Sequence, residues 1–154
     1  MSDIVITTVT LASALQAGGA LTDDYQAVWE KLWQQSHIPA GVLELCRLRL
    51  AQMHSATAEL ELLRDIDLDP AKAQDLIAGK NLNNGRFSEG ELAALELTEL
   101  YAMDPAAITD EVAASVKQHF GEPGLVCLVE ALGFIEGRIR LALMFSTLRA
   151  TASH

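Results

Sequence analysis

The stretch GVLELCRLRLAQMHSATAELELLR, Gly41 to Arg64, decides the fold. Leucine, methionine, arginine, glutamate and alanine dominate it and no glycine or proline follows Gly41, so its side chains lose little rotamer freedom in a helix. Val42, Leu43, Leu45, Cys46, Leu48, Leu50, Ala51 and Met53, spaced at roughly 100° per residue, cover nearly the whole circumference instead of one stripe. A helix of this kind is buried, by its own domain or by a neighbouring subunit. Its polar residues, Glu44, Arg47, Arg49, Gln52 and His54, therefore cannot all point freely into water, and buried charges are normally paired or hydrogen-bonded.

The whole chain has 154 residues, half of them hydrophobic and only 5% aromatic, which suits one domain of packed aliphatic helices. Net charge is −10 and no basic cluster occurs. Phosphate backbones and anionic lipid surfaces are neutralised by Lys and Arg, so neither nucleic acid nor a membrane is an expected partner. The run from Leu125 to Phe145 is long and apolar but carries Glu130, Glu136, Arg138 and Arg140, each costing roughly 2.5 to 3.5 kcal/mol at a bilayer centre. It reads as a buried helix. Cys46 and Cys127 are the only cysteines, with neither disulfide-framework nor zinc spacing. The first residues lack the basic and apolar regions of a signal peptide, and a cytoplasmic protein is expected.

Residues 1–21 read as an N-terminal arm, with a β-branched run from Ile4 to Thr10 that alternates as far as Val9, and residues 22–150 as a single helical domain. Thr22 is placed to cap a helix from Asp23 to Gln35, on which Trp29 and Trp33 share a face. They read as core or subunit-interface anchors, or as an aromatic wall for a ligand. Pro39 precedes the central helix, and Asp69-Pro70 opens a short helix closed at Gly79. Ser88 and Glu91 form a capping box for a helix bearing Leu92, Leu95, Leu97 and Leu100. Thr109 caps a helix from Asp110 to Phe120, and Gly121 to Gly124 break the chain before a last helix from Leu125 to Leu148.

Glu44 to Glu59 resembles the core motif of the AhpD-like family, which includes carboxymuconolactone decarboxylases and alkylhydroperoxidases. The family pattern E-L-x-R-L-R-x-A is matched by Glu44, Arg47, Arg49 and Ala51. In the family, Asn-Gly usually follows, then C-x-x-C and a histidine. Here His54-Ser55 replaces Asn-Gly, Ala56 and Glu59 replace the cysteines, and Leu63 replaces the histidine. The stretches from Phe87 and Ile108 and the last helix with Arg140 follow the family's order, so the resemblance spans residues 25–148. It implies an all-α, AhpD-like helical bundle and a homo-oligomer, trimeric or hexameric.

What the resemblance implies chemically depends on the replaced positions. A C-x-x-C pair works because one thiolate attacks and the second thiol resolves the oxidised first, which alanine and glutamate cannot do. Glu44 survives from the family's proton relay and is either a base or the partner of Arg47, Arg140 or an arginine of another subunit. Histidine is the natural acid or base among side chains, which makes His54 a candidate, and Glu59 either lines the former cysteine pocket or sits on a solvated helix face. Along one straight helix Glu44 and Ala56 would stand about 18 Å apart, so a break is expected at His54-Ser55, with Ser55 capping the second piece. Glu44, His54 and Glu59 are the candidate catalytic residues, converging on one remnant site. No cofactor or metal is expected. Three functions follow: a small-molecule-binding or structural protein that kept the scaffold and lost the redox cysteines, a non-redox acid–base enzyme of the decarboxylase type, or an alkylhydroperoxidase-type antioxidant enzyme.

Overall fold

The computed structural model describes Leu11, residues 15–62, Arg64 and residues 66–152; the run from Ile4 to Thr10 and the position of Leu63 lie outside them. The described residues form an all-α bundle of six helices: α1 (Ala20–Gln34), α2 (Ala40–Met53), α3 (Thr57–Glu61), α4 (Pro70–Ile77), α5 (Glu89–Met103) and α6 (Asp110–Ala152). Short 3₁₀ turns lie at Gln16–Gly18 and Pro105–Ala107.

Helix α2 is the axis of the bundle and packs against each of the other five helices. Every residue from Val42 to Leu48 is buried, as are Leu50 and Ala51. Val42, Leu43, Cys46 and Leu50 join Ala94, Leu97, Leu128, Leu132 and Ile135 in the main core. On the other side Leu45 and Leu48 meet Leu76, Phe87 and Leu95 of a second cluster. The chain thus covers its own central helix, so that helix alone gives no reason for a second subunit.

Several boundaries differ from those read off the sequence. Helix α1 begins at Ala20, ahead of Thr22, because Gly19 takes a left-handed φ of 60° that turns the chain earlier. Thr22 sits inside the helix and its hydroxyl donates to the Leu15 carbonyl. Within the arm, Leu11 is fully buried against Ala142, with Leu141 and Phe145 alongside.

The break after Met53 is present. Its chemistry is different from the expected cap: Ser55 adopts φ 55°, Ala56 stands at the N-cap position of α3, and no side chain caps it. The Ser88–Glu91 capping box forms in both directions, and the Thr109 hydroxyl accepts from the Val112 amide. The helix after it breaks at Gly121, as expected, and a second helical arm follows, the two being numbered together as α6. Gly121 sits at φ 73° and ψ 175°, a region open essentially to glycine alone. Pro123 follows in the first turn of the second arm, where its missing N–H leaves no hydrogen bond unmade.

Candidate functional site

Helix α2 carries Arg47 into the core, 2% exposed, and the break after Met53 brings α3 back over it. Arg47 Nε donates to Glu44 Oε1 at 2.8 Å and Nη2 to the same oxygen at 2.5 Å. Its Nη1 donates to the Glu59 carbonyl at 2.9 Å and approaches Glu59 Oε2 at 3.5 Å, while Nη2 also reaches the Leu62 carbonyl at 2.5 Å. One guanidinium fork therefore ties Glu44 on α2 to Glu59 on α3. Glu59 is buried, so it is not a solvated surface carboxylate.

Burial pushes the carboxyl groups of Glu44 and Glu59 above their ordinary range; the Arg47 guanidinium works against the rise without cancelling it. Glu59 also lines a recess of about 320 Å³ with Ser55, Ala56, Thr57, Ala142 and Ser146. Ala56 and Glu59 thus both line a formed recess, and neither is a thiol. Cys46 is fully buried in α2 and burial pushes its thiol up to about 12. Cys127 lies elsewhere, on the wall of a larger groove of about 820 Å³ between α1 and α6.

His54 does not join this pair. It stands about 15 Å further along the helix axis than Glu44, and its Nε2 lies 3.4 Å from Glu136 Oε2, an ion-pair distance without hydrogen-bond alignment. Glu136 is shared with Arg140, whose Nε is 3.3 Å away. The three expected site residues therefore fall into two groups, Glu44 with Glu59 on Arg47, and His54 with Glu136. The geometry of α6 gives the reason: Glu136 and Arg138, two residues apart, are rotated by roughly 200° and lie on opposite flanks of its buried face.

Arg138 is the residue that sequence reasoning passed over in favour of Arg140. Arg140 is an exposed partner of Glu136, and Glu44 pairs with Arg47 instead. Arg138 is 3% exposed, lies 4.4 Å from the Trp29 ring and 5.6 Å from the Tyr25 ring, and acts electrostatically on Glu59. Arg64 sits 4.2 Å from the Trp33 ring and 5.1 Å from Trp29, near enough to Glu44 to feel its charge. The aromatic pair is thus a cation-stacking wall, with Phe134 packed against Trp29 and Tyr25. A signal for Arg138 was present in the sequence: it follows Ile135 by three and precedes Ala142 by four, beside the apolar face of its helix.

Among the described residues no group of His, Cys, Asp and Glu is arranged to hold a metal ion, and no helix is long and apolar enough to cross a membrane. Comparison with family models, curated proteins and solved structures finds no match to this chain.

Proposed function

We propose that this chain is an AhpD-like scaffold without thiol chemistry, acting as a homo-oligomeric small-molecule-binding protein. One observation carries the reading: the recess at the former cysteine positions is formed, bounded by Ala56 and Glu59, while the charges behind it are organised around Arg47 and not around a nucleophile. The test is native mass spectrometry of the protein purified without added ligand, beside Ser146→Trp, which fills the recess from an exposed helix position. A co-purified small molecule present in the wild type and absent from the variant is expected. No bound molecule in either, with no thermal stabilisation by a small-molecule panel, turns the reading to the structural alternative.

The acid–base enzyme of carboxymuconolactone-decarboxylase type is the second reading, favoured by the two buried carboxyl groups of Glu44 and Glu59, which burial pushes upward, the direction that suits a general acid. Glu59→Gln separates the two: a catalytic acid loses turnover with ligand binding retained. The alkylhydroperoxidase reading is disfavoured by Cys46, whose burial holds it as a thiol. Hydroperoxide turnover with dithiol reductants is expected to be negligible, and turnover abolished by both Cys46→Ala and Cys127→Ala would reverse that.

A further inference from the structure

The chain uses its few positive charges almost entirely on itself. Among the described side chains, every Lys and Arg except Lys31 and Lys117 reaches a carboxylate or lies over an aromatic ring. Lys31 is exposed on α1 and lines the groove between α1 and the second arm of α6. Glu122 and Glu130 line the same groove from α6, also exposed, and neither has an ion-pair partner among the described residues. Opposite charges thus face each other across the groove without meeting.

Between those charges the groove is apolar. Leu32, Ala131 and Phe134 line it, and Val28 and Val126, one on each wall, are 47% and 52% exposed. The two helices run antiparallel, since Trp29 stacks on Phe134 while His37, beyond the end of α1, closes on Gly124. From the Trp29–Phe134 contact, Lys31 lies two residues along α1 and Glu130 four residues along α6, about 3 Å and 6 Å in the same direction. The cation and the carboxylate therefore stand within one turn of the same level, on opposite walls.

We propose that this groove receives a second copy of the chain, related by a two-fold axis that runs along the groove, with Lys31 of each copy paired to the partner's Glu130. This rests on the homo-oligomeric reading and names the surface and symmetry of the contact. Rotation about such an axis lays α1 of one copy on α6 of the other at an unchanged level, so a patch with opposite signs on its two walls is its own complement. A two-fold axis across the groove would instead lay α1 on α1 and α6 on α6, opposing like charges. Chains of net charge −10 repel one another at a distance, so their contact needs local opposite charge. Lys31 is the cation left uncommitted beside an exposed apolar surface.

The experiment is a charge swap on the full chain, read as the self-association constant from sedimentation equilibrium in low-salt buffer. Lys31→Glu and Glu130→Lys should each weaken association by at least about tenfold. The double variant, whose net charge equals that of the wild type, should recover to within about threefold of it. Glu130→Lys makes the chain less negative, so long-range repulsion alone would strengthen its association, and a loss there is local. Both positions are exposed, and the melting temperatures of the dissociated variants should agree with one another. Single variants that associate like the wild type, or a double variant no better than the singles, would overturn this surface and leave the homo-oligomeric reading intact. A wild-type monomer at micromolar concentration would overturn both.

Discussion

Arg47 shows how one side chain organises a buried site. It is joined to Glu44 three residues away and to the backbone of Glu59 and Leu62 across the break, so it fixes the angle between α2 and α3 as well as neutralising charge. Arg47→Met should cost about 3–5 kcal/mol, read as a lower urea midpoint, because it leaves Glu44 buried beside two carbonyls with no donor. Burial raises the carboxyls of Glu44 and Glu59 above the ordinary value of 4.5. A group raised on folding binds protons more readily in the native state, so its stabilising contribution is full below the unfolded value and falls as pH climbs through the folded one. Wild-type stability should therefore decline relative to Glu44→Gln as pH rises above about 5. Urea titrations of the two proteins across that range check it, and a flat difference would show that Arg47 fully offsets the burial. Glu91 runs the other way. Burial acts to raise its carboxyl, but the Lys72 ammonium and the Ser88 bonds together lower it, so its contribution is present above 4.5 and lost in acid.

The helices owe their limits to a few backbone positions, and two of these make opposite predictions. Ser55 has a left-handed φ of 55° at the α2–α3 break, a conformation that costs a residue with a Cβ roughly 1–2 kcal/mol. Ser55→Gly should stabilise by up to about 1 kcal/mol after the greater chain entropy of glycine is subtracted. Gly121 holds the bend of α6 at φ 73°, and Gly121→Ala should cost about 1–3 kcal/mol. Thermal denaturation of both variants tests the pair, and a stabilised Gly121→Ala would mean that the bend is not held as described. The break at His54-Ser55 was expected from the family resemblance, which places Glu44 and Ala56 at one site although one straight helix would hold them about 18 Å apart. That Ser55 turns the chain with its backbone while no side chain caps α3 was not legible, because a left-handed conformation is no property of serine itself; the packing of α3 onto Arg47 imposes it.

For the whole molecule the open question of surface lies on α1 and α6. Leu21, Val28, Val126, Val129 and Met144 are exposed there, and Val28 and Val126 border the groove between these two helices. Exposed apolar area of this kind is commonly covered by a subunit. Light scattering at micromolar concentration should give a particle heavier than the 16.6 kDa chain, and Val126→Asp should shift it toward the monomer with little loss of melting temperature. A wild-type monomer would end the oligomer reading.

The sequence by itself determined the helical class, the burial of α2 and the capping box at Ser88, because propensity, apolar periodicity and capping act within a few residues of each other along the chain. Only the tertiary structure decided which charges meet. Glu44 and Glu59 are joined through Arg47 because α3 folds back, His54 is drawn to Glu136 instead, and Arg138 rather than Arg140 turns inward. Those outcomes depend on the rotation of α6 about its own axis, where a shift of two residues moves a side chain from one flank to the other. That rotation is set by the summed packing of Leu128, Leu132, Ile135 and Ile139 against the rest of the core, contacts between segments far apart in the chain.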